Sequence, residues 1–127
     1  MPIALSDILK AAGEPTRLRI LNLLRQGSIC VCDLQAVLKL PQPTVSRHLA
    51  ALRHAGLVQD SRDGTRVLYS LAPATTVTLK AFFDFLEQVA PGQGGLKKDL
   101  EAMERATREG QCVVLGRGTE KESSTAV

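Results

Sequence analysis

Aromatic residues are scarce in this chain, with no tryptophan, one tyrosine and three phenylalanines among 127 residues. Stacking of single-stranded bases on a platform of rings is therefore a poor reading, and the core has to be built from Leu, Val, Ile and Ala. Cysteine is scarce as well: there are three, an odd number, two of them one residue apart. That arrangement argues against a disulfide framework and for free thiols, ligands or redox groups in a reducing compartment. No apolar run approaches the roughly 20 residues that span a bilayer. The first ten residues, MPIALSDILK, lack a basic region followed by an apolar stretch and a cleavage site. A cytoplasmic location with no membrane partner is expected. Also missing are a base paired with a nucleophile, a phosphate-binding glycine loop and an acid–base carboxylate pair, so an enzyme with a catalytic cofactor is a poor reading.

What is present is the composition of a globular protein, 44% apolar and 23% charged, long enough for one modest core with extensions. The formal net charge of +3 permits a polyanionic partner without demonstrating one.

Periodicity outlines mainly α structure with one small β-hairpin. A short helix is expected over residues 6–12, capped by Ser6 or Asp7 and ended by Gly13. The segment EPTRLRILNLLRQG follows, with Pro15 in the first turn, an apolar face of Leu18, Leu21 and Leu24 with Ile20 and Leu23, and a stop at Gly27. Arg17, Arg19 and Arg25 lie off that face and read as solvated surface charge. Ser28 to Lys39 begins extended and continues as a two-turn helix, and Pro41 and Pro43 mark a break. A second helix then runs from about Gln42 to His54, with Val45, Leu49 and Leu52 at i, i+4 and i+7 forming one packing stripe. Its other faces either meet DNA, as in a helix-turn-helix, or are merely solvated. Asp63-Gly64 between two short β-prone runs predicts a hairpin, a wing with Arg62 and Arg66 at its tip. From Thr75 to Ala90, Leu79, Phe82, Phe83, Leu86 and Val89 form a stripe that reads as a dimerisation surface, with packing inside one chain as the alternative. This divides the chain into a DNA-binding and dimerising unit (1–90), an accessory charged helix with the Cys112 segment (91–115) and a disordered tail (116–127).

In EPTRLRILNLL, CVCDL, TVSRHLAALRHAGLV and DGTRVLYSL the chain resembles the ArsR/SmtB family of metal-responsive winged helix-turn-helix repressors, over about residues 5–90. The resemblance implies a homodimer that sits on double-stranded operator DNA and leaves when a toxic metal or metalloid binds. By the family's pattern the DNA-reading residues fall on Gln42, Thr44, Ser46, Arg47 and His48, with Arg62 and Arg66 in the wing. Pro43 stands where a small polar residue is usual. Arg47 is suited to a bidentate contact with guanine and Gln42 to one with adenine, while Thr44 and Ser46 suit phosphates. His48 reads equally as a base reader or as a helix-packing or phosphate-contacting residue.

CVCDL is associated in the family with sensing of trivalent arsenic or antimony, and with cadmium, lead or zinc when the N-terminal arm adds cysteines. Residues 1–29 contain none. A frequent third cysteine is replaced by Gln35, which leaves Cys112 as the remaining candidate beside Cys30 and Cys32, or else a bystander. The family's zinc site on the last helix needs histidines, and residues 75–90 have none. All-thiolate ligation selects soft ions. In a formed helix residues i and i+2 point about 200° apart, so Cys30 and Cys32 grasp one ion only if the first turn unwinds or stays extended, which predicts a strain on the helix supporting the recognition helix. A disulfide switch on the same two cysteines is the competing sensor reading.

Overall fold

The structure, a computed structural model, describes residues 4–110 and 114–115. Helix α1 (Leu5–Ala12) is followed by α2 (Pro15–Leu24), which starts with proline where no backbone hydrogen bond is lost and whose Glu14 cap accepts the Arg17 N–H at 2.9 Å. Strand β1 (Ser28–Cys30) runs directly into α3 (Val31–Leu38), and α4 (Gln42–His54) completes the helix-turn-helix. Strands β2 (Val58–Asp63) and β3 (Arg66–Leu71) form the wing. Helix α5 (Val77–Val89), capped by the Thr76 hydroxyl, leads through a 3₁₀ turn (Ala90–Gly92) to α6 (Gly94–Arg108) and a two-residue strand β4 (Val114–Leu115). No helix among the described residues is long and apolar enough to cross a membrane.

The fold is the mainly α winged helix-turn-helix expected, with one addition. The hairpin is half of a four-stranded antiparallel sheet of order β2-β3-β1-β4. Its register runs from Val58 opposite Leu71 to Asp63 opposite Arg66, and the two-residue turn carries Gly64 at φ 66°, where a side chain would be strained. Helix α3 ends on Lys39 in the left-handed region (φ 59°), a stop that no glycine advertises in the sequence.

Ile20, Leu21 and Leu23 of α2, Leu34 of α3 and the Val45, Leu49, Leu52 stripe of α4 are completely buried in one core. The stripe of α5 belongs to it too: Leu79 and Leu86 are buried, and Phe82 and Phe83 pack against the same cluster. Of the stripe expected to face a second subunit, Leu79 and Leu86 are thus taken up by the core of their own chain, while Phe82, Phe83 and Val89 stay partly exposed. The large apolar side chains left exposed are instead Leu5 and Leu9 of α1 and Val77 and Phe85 of α5.

Helix α6 packs across α2 and α3, with Leu96 and Met103 buried and Leu100 partly so. Two polar ties fasten it. Arg19 donates to both carboxylate oxygens of Asp99, at 2.8 and 3.1 Å, and the fully buried Asn22 donates to the Leu96 carbonyl at 3.0 Å while accepting from Arg25. Arg19 and Arg25, expected as solvated charge, are therefore committed to side-chain partners. A bidentate guanidinium–carboxylate pair combines charge with fixed geometry, and the Asp99 acceptor raises the Arg19 pKa. The expectation for 116–127 falls outside the described residues, as does Cys112.

Replacing Asp99 by Ala strands Arg19, but the Arg19 side chain is 33% exposed and water takes over part of the loss. The expected cost is about 1–2 kcal/mol rather than the ~3–5 kcal/mol of a fully buried pair. Thermal unfolding measures it, and limited proteolysis at residues 91–95 should accelerate as α6 loosens; unchanged melting and unchanged cleavage would show that the pair does not fasten the helix.

Candidate DNA-reading helix and thiol pair

With Val45, Leu49 and Leu52 facing the core, α4 turns Gln42 and Arg47 fully outward, and Thr44 and Ser46 are half-exposed. The Gln42 amide donates to the Ser46 hydroxyl at 2.8 Å, which orients the carboxamide along the outer face. His48 goes the other way. It is buried, and its Nδ1 accepts a hydrogen bond from Arg17 Nε at 3.2 Å, with Glu14 Oε1 4.0 Å away. Of its two expected roles the structure assigns it packing, joining α4 to the start of α2. Arg17, read from sequence as solvated charge, is thereby a positioning contact for the recognition helix. Further along, Arg53 lies 3.6 Å from Asp60 of the wing.

The two wing arginines part company. Arg62 is opposite Val67 and Arg66 is opposite Asp63, adjacent rungs whose side chains leave on opposite faces of the hairpin. Arg62 is exposed, whereas Arg66 is half-buried and forms one wall of a cleft of about 460 Å³ together with Cys30, Cys32, Gln42, Ser46 and Tyr69. Five of the ten sequence-derived site residues thus share one cleft. Thr44, Arg47, His48 and Arg62 do not line it, and Cys112 is not among the described residues.

Cys30 is the last residue of β1, paired with Leu68, and its backbone is extended (φ −69°, ψ 143°). Cys32 lies in the first turn of α3. Because the first residue is strand and the second helix, their sulfurs converge to 2.7 Å. Unwinding of α3 is not needed, which removes the expected strain on that helix. Burial pushes the Cys30 thiol up, but the Cys32 thiol, the backbone N–H groups of Cys32 and Asp33 and the Arg66 guanidinium outweigh it, so its pKa is lowered. Cys32 is pushed up to about 11, first by its hydrogen bond to Cys30 and then by burial and by the Asp33 carboxylate. The two shifts run in opposite directions, so Cys30 ionises more readily than Cys32. Two sulfurs aimed into one cleft suit a soft, thiophilic ion. Among the described residues no group of three or more His, Cys, Asp or Glu gathers around a point that would hold a metal.

A family model described as the bacterial regulatory protein arsR family matches residues 14–60, from the cap of α2 into β2. An uncharacterised HTH-type transcriptional regulator of Methanocaldococcus jannaschii is 51% identical over 65 residues, 50% of this chain and 73% of that protein. The arsenical resistance operon repressor of Escherichia coli is 47% identical over 74 residues, so the match takes in 58% of this chain and 61% of that repressor. In three dimensions the chain resembles the solution structure of a homodimeric winged helix-turn-helix DNA-binding domain from Mycobacterium bovis, described as a possible ArsR-family regulator. The TM-score is 0.59 at 33% identity, over 67% of this chain and 76% of that one. These relatives are transcription regulators rather than enzymes. On the matched segment, the shared architecture and the outward-facing α4, the chain belongs to the arsR family of winged helix-turn-helix transcriptional regulators.

Proposed function

We propose that this regulator is a cytoplasmic homodimeric repressor that holds double-stranded operator DNA and lets go when trivalent arsenic or antimony binds the thiolates of Cys30 and Cys32. The observation that carries the proposal is the convergence of the two sulfurs, 2.7 Å apart, in the cleft that Gln42 and Ser46 of the recognition helix also line. Occupancy of the thiols is then felt beside the residues that read DNA, and a ligand shifts a binding equilibrium only through such a difference between states. The similarity to an arsenical resistance operon repressor supports the inducer class. Homodimerisation is supported by the exposed Leu5, Leu9, Val77 and Phe85 on α1 and α5 and by the homodimeric M. bovis relative. DNA is read by Gln42, Thr44, Ser46 and Arg47, with Arg62 reaching a flanking phosphate.

Trivalent arsenic favours three sulfur ligands and the pair provides two, so Cys112 is proposed as the third. Support comes from β4: Val114 pairs with Ile29, next to Cys30, and two residues of chain span at most about 7 Å.

Three outcomes follow. Arg47→Ala should cost about 1–3 kcal/mol of operator affinity with relaxed specificity; titration against operator and random duplexes across salt concentrations measures this, and wild-type protein that prefers neither duplex would end the repressor reading. Cys30→Ser and Cys32→Ser should bind operator as wild type does yet stay bound at micromolar arsenite or antimonite. Mass spectrometry of the thiols after release separates an adduct from a disulfide, and both mutants releasing normally would move the sensor elsewhere. X-ray absorption on the arsenite-loaded protein, without added thiols, should count three sulfurs, falling to two in Cys112→Ser; two in both would dismiss Cys112.

A further inference from the structure

The register of the sheet puts a cation beside the thiol pair. Cys30 is opposite Leu68, and Arg66, two residues earlier in β3, leaves on the same face as Leu68. Were β1 to continue for two residues, Arg66 would stand opposite Cys32; instead the chain turns into α3 there and the long arginine side chain fills the diagonal. Arg66 lines one cleft with Cys30 and Cys32, so its guanidinium lies beside the thiol pair. The far wall of the same cleft is made by Gln42 and Ser46 of α4. One side chain therefore runs from the wing tip, through the thiol site, toward the first turn of the recognition helix.

We propose that Arg66 is the positioning residue that couples the thiol pair to the wing: the Cys30 sulfur holds its guanidinium in the cleft while the pair is free, and a trivalent metalloid bridging both sulfurs expels it. This rests on the inducer reading above. The chemistry of displacement is simple. Each thiol replaces one hydroxyl of As(OH)₃, two As–S bonds form, two As–O bonds break, and the two thiol protons leave with the hydroxyls as two waters, with no change in oxidation state. The As–S bond takes the place of the S–H bond and leaves the Cys30 sulfur a poorer acceptor, and the metalloid with its remaining oxygen occupies the space beside the guanidinium. A guanidinium cannot shed its charge to stay, so it leaves. The β1–β3 ladder persists, but the wing tip beyond it loses its side-chain anchor in the cleft, and the hairpin no longer keeps the posture in which it flanks α4 on DNA.

The alternative is that Arg66 merely contacts phosphate, in which case losing it weakens DNA binding equally with and without inducer. The ratio of affinities decides. Operator binding by fluorescence anisotropy is measured with and without arsenite for wild type, Arg66→Gln and Arg66→Lys. Arsenite binding is measured by calorimetry with and without the duplex. Arsenite should weaken wild-type operator binding about tenfold or more, within the usual range of coupled sites. Arg66→Gln should bind DNA more weakly in both states and still take up stoichiometric arsenite, but its ratio should fall below about threefold, and by reciprocity duplex should no longer weaken its arsenite binding. Arg66→Lys, which keeps the charge and loses the planar fork, should lie between. In the free wild-type protein the Arg66 Nε–H resonance should exchange with water more slowly than that of Arg62. A wild-type ratio in Arg66→Gln, or in Arg66→Lys should the former not fold, overturns the inference alone. Wild-type protein that binds operator but ignores both arsenite and antimonite overturns the inducer reading beneath it, and the inference falls with it.

Discussion

The thiol site depends on one short antiparallel pairing, Ile29 with Tyr69 and Cys30 with Leu68. A helix would set residues i and i+2 on nearly opposite faces. The pairing prevents that by keeping Cys30 extended until the last possible residue, so that Cys32, one step inside α3, turns back toward it. Convergence of the sulfurs is therefore a property of the strand-to-helix junction. A site prebuilt in this way spends none of its binding free energy on opening α3. On the proposed reading an inducer need not melt that helix, and the lever is what it changes in the cleft: charge, volume and the acceptor available to Arg66.

The recognition helix is held from behind by α2. Apolar packing of Val45, Leu49 and Leu52 sets its depth, while the Arg17 to His48 hydrogen bond at 3.2 Å fixes a polar point that apolar contacts, being non-directional, leave undefined. On its other side the same α2 carries Arg19 and Asn22, which fasten α6 through Asp99 and the Leu96 carbonyl. No buried side-chain nitrogen or oxygen among the described residues lacks a partner. That matters because an unsatisfied buried polar atom costs about 1–3 kcal/mol. Helix α2 is thus a rigid spine between DNA-reading and C-terminal helices, and the part left free to respond is the wing with its exposed turn.

Much of this was legible in the residues themselves. The α4 stripe, the break at Pro41 and Pro43, the Asp63-Gly64 turn and the Cys30–Cys32 pair all rest on local signals, and local signals are what a single sequence carries. The same arithmetic that picked out Val45 and Leu52 also places His48 three residues after the one and four before the other, on the buried flank. That signal was available and was masked by the family's pattern, which sets His48 among the DNA readers. Other features were not there to be read. Arg19 and Asp99 are 80 residues apart, a two-residue strand such as β4 has no periodicity to detect, and Lys39 adopts a left-handed conformation that composition assigns to glycine or asparagine. The α5 stripe is legible from its spacing, but whether an apolar face meets its own core or another chain is decided by the space the other helices leave.

On the proposed reading, sensing and DNA reading need no long connection. Gln42 and Ser46 are hydrogen-bonded to each other on the outer face of α4 and line the same cleft as Cys30 and Cys32. Coupling over such a distance requires no relay of packed residues, since one ligand's volume and charge act directly on groups the other ligand needs. Thermodynamic reciprocity then makes DNA an opponent of the inducer to the same degree that the inducer opposes DNA. Arg66 lies beside Cys30 on one wall and Gln42, hydrogen-bonded to Ser46, lies on the other, and the last two are proposed to read the operator. The competition between inducer and operator for that cleft is what would make the thiols a switch rather than a storage site.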